Sequence, residues 1–277
     1  MATTDPLLDT IPHAPIPTGP TIDSTTILSL LSTVAILTTA YFTSQSLLPS
    51  STPVKLRLLF IWHAFDALIH FLLEGSFLYN CFTAYTTLPK PLEDVSISHP
   101  ASWHGRAWND AIASGHRLLT PPGVYFLGKP GRLYGSVYGG NVVAGLWREY
   151  AKADARWGGA DLTVISLEIL TVGIGAPLAL YICELVRRGD RRVWVWAGWL
   201  AVGELYGGFM TFAPEWLSGN TNLDGSNWMY MWLYLVFFNM LWVFIPFWVL
   251  YEAYGNISQA MGYDSAAATA GKEKKKN

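Results

Sequence analysis

Apolar residues gather into runs of bilayer-spanning length at Thr26–Leu48, Leu58–Phe82, Leu162–Val186, Val193–Phe212 and Trp228–Tyr251. A transmembrane helix needs roughly 20 mostly apolar residues. The breaks are short and polar: PSSTP at Pro49–Pro53, RRGDRR at Arg187–Arg192, and Ala213–Asn227. Between the second and third runs lies a long polar connection, Thr83–Ala160, rich in Gly, Pro and His. Connections of that length are uncommon unless functional or disordered. Within it, Ala101–Leu119 reads as an amphipathic surface helix, and Leu146–Trp157 as a charged helical lead-in to the third span. The pattern predicts an all-α integral membrane protein, a five-transmembrane-helix bundle over residues 26–254. A Pro/Thr-rich, disordered tail precedes it (1–25) and a polar tail follows (255–277).

Charge sets an orientation for that bundle. Five spans put the termini on opposite sides. Lys55, Arg57, the Arg187–Arg192 turn and the final lysines then share one side, which the positive-inside rule makes cytosolic. The ending KKKN matches a di-lysine signal, a receptor-read address for the endoplasmic reticulum membrane. Composition agrees with a membrane setting: 51% apolar, 14% aromatic and only 14% charged residues. The mean hydropathy is +0.27. A net charge of −2 argues against nucleic acid as a partner. Two cysteines, Cys81 and Cys183, give no disulfide framework, and the six histidines show no HExxH spacing. No metal or other cofactor is expected.

Candidate chemistry sits inside the spans. The second carries His63, Asp66, His70 and Glu74, which fall within an arc of roughly 80° on a helix. An ionisable group at mid-membrane costs about 2.5–3.5 kcal/mol on insertion scales, so this stripe should turn toward a protein interior. His70 and Glu74, four apart, meet on one face. Glu168 lies about two turns into the third span and Glu204 in the fourth, while Asn239 and Trp242 share a face of the fifth. Burial disfavours a charged carboxyl, and a carboxylic acid that keeps its proton at neutral pH is what a general acid needs. Together with a second carboxylate as base and an aromatic face for a transient cation, it suits moving a proton onto and off an apolar alkene.

Other readings of the same residues stand beside this one. Polar residues in membrane helices often only join helices, the favoured reading for His63, Asp66 and Glu204 and an equal one for Asn239. A proton-coupled transporter would also use intramembrane carboxylates, but no internal repeat is evident.

Several motifs, in this order, resemble the emopamil-binding protein family: HxxxEG at His70–Gly75, WREYAKADARW at Trp147–Trp157, LEILTVGIGAPL around Glu168, ELYGGFMTF at Glu204–Phe212 and FFNMLWVFIP at Phe237–Pro246. The resemblance runs from about Phe60 to the lysine tail. It implies a membrane bundle around a polar-lined sterol cavity, often a homodimer, and sterol Δ8–Δ7 isomerisation without a cofactor. It implies catalytic roles for His70, Glu74, Glu168, Asn239 and Trp242. Beside these, His63, Asp66, Glu204 and Tyr206 are candidate supporting polar or pocket residues of this sequence. It also implies binding of cationic amphiphilic drugs, whose ammonium mimics a carbocation, and leaves a non-catalytic sterol or drug binder as the alternative. The chain departs from the family pattern in its longer second-to-third connection. It also has Glu204 and Gly208 where Gln and Asp are expected.

Overall fold

The computed structural model describes residues 22–87, 119–120, 124–129 and 132–262. The N-terminal tail to residue 21, the segment 101–118 and the lysine-rich ending lie outside the described residues. Long helices dominate: α1 (Ser24–Leu47), α2 (Val54–Thr83), α3 (Val142–Tyr150), α4 (Leu162–Arg188), α5 (Val193–Ser218) and α6 (Met229–Ala260). A two-stranded antiparallel sheet, β1 (Tyr85–Thr87) with β2 (Arg132–Tyr134), pairs Tyr85 with Tyr134.

Four of these helices, α1, α2, α4 and α6, are long and apolar enough to cross a membrane. This corrects the five-span expectation. The fourth run does fold as a helix, and α5 is 26 residues long, but it is not among the membrane-length apolar four. Glu204, Glu215, Pro214 and the glycines at 198, 203, 207 and 208 dilute its aromatic and aliphatic content. The odd span count that put the termini on opposite sides falls with it. The protein is a multi-pass membrane protein whose outer faces carry exposed apolar side chains such as Phe42, Leu72, Ile174 and Phe244.

Local chemistry explains where the helices begin and end. Asp23 caps α1 by accepting from Thr26 N at 2.9 Å, and Thr26 Oγ1 answers the Asp23 N–H, a capping box. Arg57 closes the other end of α1, donating to Ser44 O at 2.8 Å and Pro49 O at 2.7 Å. Asn141 and Asp161 cap α3 and α4 by accepting from Ala144 N and Val164 N. Gly189, with φ +65°, ends α4 in the left-handed conformation that glycine adopts freely.

Packing then sets the order in space. The first half of α2 lies on the second half of α4, α5 lies along α6, and α1 leans on α2 and α3. One apolar core runs through α1, α2, α4, α5 and α6; a second joins the end of α2 to α3 and the start of α4. In the second core Trp147 stacks on Trp157 at 4.8 Å and Phe77 meets both rings. Gly135 after β2 has φ +140° and no room for a Cβ, which would strike the backbone of Gly158 and Gly159. The long connection is therefore built onto the bundle where it is described.

Candidate active site

Three helices lose regular α geometry. α2 widens to π-helix at Ile69–Glu74, α4 at Thr171–Gly175 and α6 at Met229–Phe237. The first two widened turns touch each other. Pro177 accounts for the one in α4: it has no N–H to donate and its ring crowds the carbonyl four residues back, so the preceding turn opens. Single-turn π-bulges inside α-helices occur mostly at functional sites.

The α2 turn holds His70 between two carboxyls. Its Nδ1 is hydrogen-bonded to Glu74 Oε2, and its Nε2 lies 3.0 Å from Asp66 Oδ1. With a carboxyl oxygen on each ring nitrogen, the ring carries both N–H protons or one carboxyl supplies the missing one. Across the gap, Thr171 Oγ1 sits 2.9 Å from Glu74 Oε2 and 2.7 Å from Glu168 Oε2. A hydroxyl has one proton to give. To bond both carboxyls it donates to one and accepts from the other, so one of the two glutamates carries a proton. His70 and Glu168 are buried, and this chain of groups forms part of the polar lining of a mostly apolar space.

That space is a cavity of about 820 Å³, within the range of small-molecule sites. His70, Glu74, Glu168, Thr171, Asn239 and Trp242 all line it, together with Glu204, Tyr206, Trp147 and Tyr150. Ile174, Trp199, Tyr206 and Phe247 both line it and lie exposed on the bundle surface, so the cavity reaches the apolar outer face.

The remaining sequence candidates divide. Trp242 lines the cavity, but its indole N–H is engaged, donating to Asp66 Oδ1 at 2.8 Å. Its ring packs against Trp62 and Phe65 and lies 6.5 Å from the His70 ring. Asn239 lies on the cavity wall with its amide nitrogen 3.1 Å from Tyr150 Oη, 3.0 Å from Tyr234 O and 2.8 Å from Leu235 O. It bridges α6 to α3. Burial raises the pKa of the Tyr150 hydroxyl, so it stays protonated. Asp66 stands behind His70, away from the cavity wall. His63 is buried, donates Nδ1 to Leu59 O at 2.8 Å and does not line the cavity. Glu204 lines it and lies close to Asp66 and Trp62.

Sequence reading missed Thr171 and Tyr150. Thr171 follows Glu168 by three residues, on the same helix face, but a threonine in a membrane helix ordinarily bonds only its own backbone. Tyr150 lies in Leu146–Trp157, which reads as a charged helical lead-in, and its contact with Asn239 of α6, 89 positions away, has no local signal. Among the described residues, His70, Glu74 and Glu168 also offer one metal-ligating atom each within 4.8 Å of one another. His70 Nδ1 and Glu74 Oε2 already bond each other, and Thr171 bridges the glutamates, so the set is complete as a hydrogen-bond network.

Residues 142–253 match the family EXPERA (EXPanded EBP superfamily), a stretch that includes Glu168, Thr171, Glu204, Asn239 and Trp242. The chain is 33% identical over 101 residues to the 3-beta-hydroxysteroid-Delta(8),Delta(7)-isomerase of Cavia porcellus, covering 36% of this chain and 44% of that protein. With the Mus musculus isomerase it shares 29% over 115 residues, 42% of this chain and 50% of the other. It is also 26% identical over 106 residues to an isomeliandiol synthase of Melia azedarach, covering 38% and 49%. The chain spans about half the length of the curated relatives it matches. Residues 142–253 therefore carry the EXPERA (EXPanded EBP superfamily) match, and over this part the chain is homologous to sterol Δ8–Δ7 isomerases of animals and plants.

Proposed function

We propose that this protein is a sterol Δ8–Δ7 isomerase that moves a ring double bond by adding one proton and removing another. The observation that carries this is the Glu74–Thr171–Glu168 bridge, with His70 behind it, opening on an apolar cavity of about 820 Å³. An apolar alkene needs a strong, desolvated acid and a base close by, and nothing else. Protonation at C9 leaves a tertiary cation at C8, and loss of a proton from C7 forms the new double bond. Protons in and out balance, so no cofactor enters.

The partners suggest the roles. Glu74 accepts from His70 and from Thr171, which suits the carboxylate, so it is assigned as the base that takes the C7 proton. Glu168 is buried, bonded to the Thr171 hydroxyl and close to the Glu74 carboxyl, a setting that suits the neutral acid; it is assigned as the acid. After turnover the proton sits on Glu74. The Thr171 hydroxyl, in contact with both, returns it to Glu168. The Glu74 carboxylate and the faces of Trp242 and Trp147 would stabilise the cation, aromatic faces being attracted to positive charge. The same preference would let a cationic amphiphile with a protonated amine compete for the site.

The test is complementation of a yeast strain lacking its own Δ8–Δ7 isomerase, with sterols read by gas chromatography and mass spectrometry. Wild type should restore Δ7 sterols. Glu74→Gln at equal expression should leave Δ8 sterols to accumulate, its rate down about 10²–10⁴-fold as expected for a lost acid–base group. One observation favours a second reading, a non-catalytic sterol or amphiphile binder: the N–H groups of Asn239 and Trp242 are taken by protein partners. Well-expressed wild type that leaves the Δ8 pool unchanged would establish that reading instead. The location we propose is the endoplasmic reticulum membrane, checked by co-localisation of the tagged chain with a resident marker.

A further inference from the structure

A second polar cluster lies on the far side of His70. Four buried atoms there have no hydrogen-bond partner among the described residues: Trp62 Nε1, Asp66 Oδ2 and both carboxyl oxygens of Glu204. They belong to three side chains that approach one another, since Glu204 lies within interaction range of both Asp66 and Trp62. Unpaired buried polar atoms are rare and costly, and here the four complement each other. Trp62 brings one donor, Asp66 Oδ2 one acceptor, and Glu204 two oxygens. One added proton, on Glu204, completes the set. Its hydroxyl then donates to Asp66 Oδ2, and its carbonyl oxygen accepts from Trp62 Nε1.

The proton belongs on Glu204 rather than on Asp66. Asp66 Oδ1 already faces two nitrogens, His70 Nε2 at 3.0 Å and Trp242 Nε1 at 2.8 Å, an environment made for a carboxylate. Two adjacent buried carboxylates cannot both be ionised at bearable cost. The other titratable groups packed around the pair are His63 and His70 of α2 and Cys183 of α4. The Cys183 thiol donates to Phe60 O at 3.6 Å; His63 Nδ1 is engaged with Leu59 O, while its Nε2 has no hydrogen-bond partner among the described residues.

We propose that Glu204 is a positioning residue of the isomerase site, a neutral acid that donates to Asp66 and through it holds His70 against Glu74. The inference rests on the proposed isomerase reading for its effect on rate, but its proton can be observed without any substrate. Glu204 acts at one remove, along the sequence Glu204–Asp66–His70–Glu74. Without its hydroxyl, Asp66 Oδ2 is left bare, and the His70 ring loses the fixed carboxylate that orients it.

Two variants separate this from a merely structural role. Glu204→Gln keeps one donor for Asp66 and one acceptor for Trp62. Glu204→Met keeps the shape and loses both bonds. In the purified wild type, infrared difference spectra against Glu204→Gln should show a carboxylic-acid C=O band at neutral pH that the variant lacks. In the sterol assay Glu204→Gln should keep most of the wild-type kcat. Glu204→Met should lose about tenfold, the effect of one buried hydrogen bond, with KM unchanged and the protein still migrating as one species on size exclusion.

The proposal is overturned by no acid band assignable to Glu204, by full kcat in Glu204→Met, by a Glu204→Gln loss as deep as that of Glu204→Met, or by a raised KM that would mark direct substrate contact. If wild type converts no sterol, the isomerase reading fails, while the infrared band still decides where the proton sits.

Discussion

The hydroxyl of Thr171 is the smallest group on which the proposed chemistry turns. It lies 2.9 Å from Glu74 and 2.7 Å from Glu168, and it joins α2 to α4. Thr171→Val removes the oxygen and keeps the shape. The two carboxyls then lose their shared proton route, and one buried acceptor is left unsatisfied, at about 1–3 kcal/mol. The expected outcome is a fall in kcat of about tenfold or more with KM little changed, and substantial recovery in Thr171→Ser. Steady-state rates of sterol conversion in detergent would check it. An equal loss in Ser and Val variants would show that the methyl, not the hydroxyl, matters. At this scale the sequence was partly legible. The i,i+4 spacing of His70 and Glu74 gave their contact, because a helix forces it. The place of Asp66 behind His70 was hidden, since the same stripe fits a helix–helix contact equally well. The engagement of the Trp242 N–H with Asp66 was hidden too, being a contact between residues 176 positions apart.

Helix irregularity, not helix regularity, brings the site together. The π-turn at Thr171–Gly175 lets Glu168 and Thr171 face α2 while the rest of α4 keeps its apolar side in the core. A π-bulge carries one residue more than the α-turn it replaces. Deleting Gly173, which has open space around it, should restore a regular turn. One residue of register is about 100° of rotation, so one end of α4 would turn away from the other. Glu168 would leave the cavity, and activity should be abolished while the protein still migrates as one species on size exclusion. Gly173→Ala, which preserves the count, should remain active. Full activity in the deletion would mean that the bulge is incidental. Pro177 is visible in the sequence, but the turn it opens depends on packing against α2. Span counting failed for the related reason that α5 reads as membrane-like from its tryptophans and phenylalanines. Its glutamates, glycines and Pro214 lower its apolar character, and its length alone does not make it a span.

The whole molecule is tied together on one side of the cavity by a buried ionic clamp. Arg156, in the short 3-10 turn Ala155–Trp157, donates Nε and Nη2 to Asp154 at 2.9 and 2.6 Å and Nη1 to Thr211 O at 2.5 Å. Glu215 of α5 stands 3.7 Å from it and also accepts from Asn222 N and Nδ2. The strand-like bridge Asp154–Leu223 continues the link. The segment after α3, the end of α5 and the turn into α6 are thus one unit, and Tyr150 and Tyr234 reach the cavity from it. Burial holds the Asp154 carboxyl above the usual aspartate range although Arg156 pulls the other way. Arg156→Met removes that pull and strands two buried carboxyls, a loss of about 3–5 kcal/mol when one partner of a buried pair is deleted. The sign with pH follows from the raised value of Asp154: its contribution to stability is full below the ordinary aspartate value and is lost as pH rises. The deficit of Arg156→Met should therefore be greatest at neutral pH and shrink as the pH is lowered and the stranded carboxyls take up protons. Thermal unfolding in detergent across that range, wild type beside variant, reads both size and slope. A deficit that grew toward acid pH would mean that the clamp acts through charge it attracts rather than through charge it neutralises.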